Sequence, residues 1–75
     1  METRKLRFEF PLNRLDVPVF STLVTQYDIN PNVLAGNVNP SRGGWLLIGV
    51  SGPAPRIDSA LEWVRAQGVT VTDAD

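Results

Sequence analysis

Hydrophobic and polar residues follow two different periods along this chain, and the change of period marks its elements. Residues 4–10 are apolar at every second position, which predicts a strand with one buried face. Two further strands are predicted at residues 32–39 and 45–51, because a turn rich in proline and glycine separates them. Residues 69–72 alternate valine with threonine and predict a short last strand.

Two segments repeat with the period of a helix. In the first, Asp16 is expected to cap the helix and Pro18 to occupy its first turn. The apolar positions of this predicted helix are Val17, Phe20, Val24 and Tyr27, with Leu23 beside them. The second helix is predicted at residues 55–67, with Gly68 as its left-handed C-terminal cap. Its predicted apolar stripe consists of Ile57, Ala60, Leu61 and Val64.

The predicted order of elements is β-α-β-β-α-β, the pattern of an α+β, ferredoxin-like fold. Right-handed crossovers place both helices on one face of a four-stranded antiparallel sheet. We expect the strand order 4-1-3-2, in which the second and fourth strands are the edges. The 75 residues are expected to form a single domain with its core at about residues 4–73.

Composition excludes several classes of function. The chain contains no cysteine and no histidine, so it lacks thiolate ligands, the usual general base and the commonest metal ligand. We therefore predict no cofactor, no metal site and no enzymatic activity. A net charge of −1 gives no reason to expect a nucleic acid as partner. The longest apolar run, residues 45–48, is too short to cross a bilayer, so no membrane insertion and a cytoplasmic location are expected.

The third strand places large apolar side chains on the wrong face for a simple half-buried sheet. If Ile48 faces the helices, Trp45 and Leu47 point away from them, where a single sheet layer normally carries polar residues. We predict that these two residues form an interface, most simply that of a homodimer. The alternative is that a loop or a bulge covers them.

The turn between the second and third strands offers a weaker signal. Gly43 and Gly44 are typical of a plain hairpin, although a glycine-rich loop also allows a ligand to approach the main chain. Arg42, next to them, is a candidate to hold a carboxylate with its fork of donors.

The segment 27–36 resembles the signature of the NIL domain family, which is named after an Asn-Ile-Leu motif. Here the motif reads Asn32-Val33-Leu34. The glycine pair at 43–44, the apolar strand that follows and the helix around residues 60–64 also resemble that family. The resemblance extends from about Leu6 to Val71.

This resemblance implies a regulatory function. NIL domains are known from the ATPase subunit of bacterial methionine importers, where a pair of them binds methionine and inhibits transport, and their fold is similar to that of ACT domains. The asparagine of the motif belongs to the ligand site, which implies that Asn32 contacts the ligand and that Val33 and Leu34 line the same place. An alternative for Asn32 is a bond to its own turn backbone.

Two functions therefore remain open. The first is a free-standing sensor that binds methionine or another amino acid as a homodimer. Because the chain lacks the Gly-x-x-x-x-Gly-Lys phosphate loop, such a sensor would regulate a transporter or an enzyme on another polypeptide. The second is a module without a ligand, which docks on a partner protein through its exposed sheet face or edge strand.

Overall fold

Four antiparallel strands form one sheet within residues 1–74, which are the residues that the computed structural model describes. Asp75, the last residue of the predicted domain, lies outside this part. The strands are β1 (Glu2–Phe10), β2 (Asn30–Asn39), β3 (Gly43–Gly52) and β4 (Thr70–Asp73), and they lie side by side in the order β2-β3-β1-β4. This is the predicted order 4-1-3-2 seen from the other edge, so the predicted topology is confirmed.

Two α-helices complete the predicted α+β, ferredoxin-like arrangement. They are α1 (Val19–Thr25) and α2 (Ala54–Ala66), and a 3₁₀ turn (Leu12–Arg14) precedes α1. The stripe that the sequence predicts for α2 is buried, and Gly68 has φ +89°, as expected for its left-handed cap. No helix within residues 1–74 is long and apolar enough to cross a membrane.

The first helix differs from its prediction. Pro18, and not Asp16, stands before its first residue, and no side chain of residues 1–74 caps its first turn. Val24, predicted to face the core, is 51% exposed, whereas Val19 and Leu23 are buried. The prediction assumed a helix that continues to Tyr27, but α1 ends at Thr25 and its seven residues present a different, shorter stripe to the sheet.

The core lies between the two helices and one face of the sheet. Phe8, Ile48 and Ile57 are fully buried there and come from β1, β3 and α2. Because alternate residues of a strand point to opposite faces, the neighbours of these core residues on β1 and β3 lie on the other face. We call that second face, which no helix covers within residues 1–74, the open face.

Two ion pairs fasten α2 at the surface. The Arg4 guanidinium donates to the Asp58 carboxylate at 2.8 Å and joins β1 to α2, while Arg56 donates to Asp28 at 2.7 Å and joins α2 to the turn before β2. The hydrogen bond from Arg4 to Asp58, and to a smaller extent the one to Glu2, raises the pKa of Arg4 above its ordinary value. Arg4 therefore stays charged at any physiological pH, and the pairs orient α2 more than they stabilise the fold.

Candidate functional site

The predicted ligand motif lies at an irregularity of the edge strand. β2 pairs with β3 along its length, but the register shifts between Val33 and Ala35. Leu34 is the extra residue of this β-bulge and has no partner opposite it on β3. A bulge bends the strand and changes the direction of its side chains, and bulges are frequent next to binding sites.

A hollow in the open face adjoins the bulge. Asn32 of β2 and Lys5 of β1 are the register partners of Gly49 on either side, so a residue without a side chain lies between two long polar ones. The Leu34 Cδ1 atom lies 3.9 Å from the position that a Cβ on Gly49 would occupy. We call this place, bounded by Asn32, Leu34 and Lys5 around Gly49, the Gly49 hollow.

The chemistry of the Gly49 hollow suits a small zwitterion. The Asn32 amide has both a donor and an acceptor, the Lys5 ammonium has three donors, and Leu34 adds an apolar wall. The outer edge of β2 has no neighbouring strand within residues 1–74, so main-chain N–H and C=O groups are available beside the hollow. These groups match an amino acid's carboxylate, ammonium and side chain.

Two outcomes for single residues differ from what the sequence suggests. Val33 pairs with the buried Ile48, so it lies on the helix side of the sheet, away from Asn32 and Leu34. Lys5, in contrast, is a member of the hollow that sequence reasoning missed. No local signal marks it, since only the pairing of β1 with β3 brings it beside the motif.

The predicted interface residues, Trp45 and Leu47, both lie on the open face and are half-buried. The Arg7 guanidinium carbon is 4.7 Å from the centroid of the Trp45 ring, a cation–π contact that covers part of the indole. Leu47 lies opposite Ala35 of β2. Both side chains stay half-buried despite these contacts, so part of their surface is open to a partner chain. The interface stays a prediction.

The motif is accessible in the single chain. Leu34 is 48% exposed and Val33 is 52% exposed. Four clefts stand out on residues 1–74, and the motif residues line none of these four. An amino acid in the Gly49 hollow of one chain would therefore keep much of its hydration, and a second chain over the open face would enclose it.

One of these clefts is an apolar groove of about 330 Å³ on the helix side. Its apolar walls include Phe10, Leu15, Val17, Phe20, Val38 and Leu46. Sequence reasoning missed it because the groove forms only where the segment before α1 folds back over the ends of β2 and β3.

The order of elements and the position of the motif are those of a known family. The family model of the NIL domain matches residues 4–73. The chain belongs to the NIL domain family. The resemblance noted in the sequence is thereby confirmed.

Curated relatives of this NIL domain are methionine import ATP-binding proteins. MetN of Ralstonia nicotianae is 33% identical over 70 residues, which are 89% of this chain and 20% of the relative. MetN 1 of Paraburkholderia xenovorans is 30% identical over 71 residues, or 91% of this chain and 21% of the relative. The NIL domain thus spans about a fifth of the length of these relatives.

A solved structure shares the fold of this NIL domain. It is the C-terminal domain of an ABC transporter ATP-binding protein from Enterococcus faecalis, with a TM-score of 0.82 and 23% sequence identity. The match covers 95% of this chain and 82% of the other. The likeness supports the α+β sheet and helix arrangement described above.

Proposed function

We propose that this NIL domain is an amino-acid sensor. It binds methionine or another amino acid in the Gly49 hollow, with Asn32 and Leu34 as principal contacts, and regulates a transporter or an enzyme in trans. Two copies associate through their open faces and enclose the ligand. The domain performs no chemical step, and the ligand acts by favouring the associated form.

The observation that carries this proposal is the coincidence of three features at one place. The family motif, the β-bulge at Leu34 and the missing side chain of Gly49 all meet beside the outer edge of β2, which pairs with no strand within residues 1–74. A bulge in an edge strand needs no ligand to explain it, but here it brings the apolar Leu34 side chain beside Gly49, which has no side chain of its own. The relatives that import methionine make this amino acid the first one to test.

The orientation of the ligand follows from the charges around the hollow. Lys5 adds positive charge on the side of the carboxylate, to which main-chain N–H groups of the β2 edge donate, and the Asn32 side-chain oxygen accepts from the ammonium. Leu34, with Leu47 further along the open face, contacts the apolar side chain. Because the hollow excludes little water in one chain, we expect weak binding by a monomer and tighter binding by the associated form.

Calorimetry with methionine and the other natural amino acids tests the proposal, with Asn32→Ala as the decisive variant. Loss of a polar partner is expected to weaken binding by about 1–3 kcal/mol. Asn37→Ala is the matched control, because Asn37 lies on the same strand and the same face but opposite Trp45. It should bind the amino acid as the wild type does, and both variants should unfold at the wild-type temperature.

A wild type that binds no amino acid at millimolar concentration would overturn the sensor. The second candidate function then takes its place, namely docking on a partner protein without a ligand. The observation in its favour is that nine of the ten residues of β2 are exposed along an edge that pairs with nothing on its outer side in residues 1–74. An edge of this kind accepts an added strand from a partner.

A further inference from the structure

A polar cleft opens where β3 begins, at a distance from the Gly49 hollow further along the same strand. It has a volume of about 480 Å³, within the range of small-ligand sites. Its walls are the end of β1, the turn before β3 with the start of that strand, and the turn before β4 with the start of that strand. The polar side chains of the lining are Arg7, Glu9, Arg42 and Thr70, and its aromatic side chains are Phe10 and Trp45.

The charges of this cleft do not balance. Arg7 donates from Nε to the Glu9 carboxylate at 3.1 Å, which accounts for the single acidic residue in the lining. Arg42 has no carboxylate within ion-pairing distance among residues 1–74. The lining of the cleft therefore has one positive charge in excess, although the net charge of the whole chain is −1. A third arginine, Arg14, adds to the positive field, since its Nε lies 3.2 Å from the position that a Cβ on Gly68, in the cleft wall, would occupy.

The arginine geometry suits a planar or tetrahedral oxyanion. Arg7 is held from two sides, by Glu9 at its Nε and by the Trp45 ring at its face, so its orientation is restricted before any ligand arrives. Such a guanidinium loses less conformational freedom when it binds a carboxylate or a phosphate. Arg42 and the Thr70 hydroxyl add donors from two other walls of the cleft.

We propose that this cleft binds a small molecule through a phosphate or carboxylate group, held by Arg7 and Arg42. The site is distinct from the proposed amino-acid site. Trp45 is four residues from Gly49 along β3, a distance of about 13 Å in an extended strand. The NIL domain would thus respond to a second, anionic ligand. Because Trp45 belongs both to this cleft and to the proposed interface, anion binding and association of the open faces would affect each other.

An NMR titration with inorganic phosphate and with citrate tests this proposal and separates the two kinds of oxyanion. The chain has two tryptophans, and they serve as probe and internal reference. The Trp45 indole N–H signal should shift with saturation in the millimolar range. The signal of Trp63 should stay in place, because its ring packs against Tyr27, with 6.3 Å between the two ring centroids, and does not line the cleft.

Arg42→Gln is the test variant and Arg56→Gln its matched control. Both remove one positive charge from an exposed side chain, but Arg56 pairs with Asp28 outside this cleft. Arg42→Gln should weaken anion binding by at least about tenfold, the effect of losing a charge-assisted hydrogen bond, and Arg56→Gln by less than about twofold. Arg42→Lys keeps the charge without the fork and should fall between them.

Three results would overturn the proposal. They are a Trp45 signal that neither anion moves, equal weakening by both glutamine variants, and equal shifts of both indole signals. The two proposed sites are separated by a crossed measurement. Arg42→Gln should bind methionine as the wild type does, and Asn32→Ala should bind phosphate or citrate as the wild type does.

Discussion

Val19 and Val24 lie near opposite ends of α1 and differ strongly in solvent exposure, although helical spacing in the sequence assigns Val24 to the buried stripe. Val19 is 2% exposed and belongs to the core, whereas Val24 is 51% exposed. A helical spacing counted along the sequence assigns Val24 to the core because it assumes that the helix continues through Tyr27. The position at which the helix begins and ends decides which valine is buried.

At the residue scale, Val19→Ala and Val24→Ala should therefore have very different effects. The chemical change is the same, so differences in side-chain size and helix propensity nearly cancel. Removing two buried methyl groups at Val19 should lower the free energy of unfolding by about 2 kcal/mol. Val24→Ala should change it by less than about 0.5 kcal/mol. Urea unfolding followed by circular dichroism measures both. A larger loss of stability for Val24→Ala than for Val19→Ala would show that α1 is rotated about its axis, with Val24 facing the core.

The ends of the elements, more than their middles, determine where the candidate sites lie. The bulge in β2 sets Leu34 beside Gly49, and the turn that ends α2 brings Gly68 against Arg14 and into the wall of the cleft that Arg7 and Arg42 line. Gly68 has φ +89°, a conformation that costs an L side chain free energy through its Cβ. The helix end thus requires glycine for a conformational reason.

At the scale of the element, Gly68→Ala should destabilise the domain by about 1–2 kcal/mol. Gly68→Asn is the informative control, because it introduces the same Cβ beside Arg14 while asparagine tolerates the left-handed conformation better. We expect the asparagine variant to lose less stability than the alanine variant in thermal melts. Equal losses in the two variants would assign the cost to the contact with Arg14 instead.

For the whole molecule, the proposed association of open faces would link the size of the domain, its assembly and its function. A domain of 75 residues buries only about 60% of the surface of its unfolded chain, so its stability margin is small. Association through Trp45 and Leu47 would bury further apolar surface, at roughly 25 cal/mol per Å². The same association would enclose the Gly49 hollow, so that assembly and ligand binding favour each other.

Leu47→Glu should therefore give a monomer that binds amino acids more weakly than the wild type. Leu12→Glu is the matched control, since Leu12 is 50% exposed in the 3₁₀ turn and is not part of the open face. Light scattering across a range of concentrations, followed by calorimetry, measures both properties. A wild type that is monomeric at high concentration, or dissociation by Leu12→Glu as well, would contradict association through the open face.

The sequence by itself determined the order of elements, the strand order and the stripe of α2. The signals that determined them are local: alternation in residues 4–10, turn residues before Gly43 and helical spacing from Ile57 to Val64. The rules of chain connectivity then allow these elements only a few topologies, one of which is observed. The motif around Asn32 was likewise placed correctly on an edge strand. These features depend on neighbours in the chain, which the sequence displays directly.

The tertiary structure alone decided which residues meet across strands. Lys5 and Leu34 converge on Gly49 only through the pairing of β1 and β2 with β3, and the bulge that aims Leu34 leaves no trace in the alternation of β2. Arg7 and Arg42 are likewise distant in sequence and share a cleft because two strand ends lie side by side. Contacts of this kind depend on register, and a shift of one residue would turn every side chain of a strand to the other face.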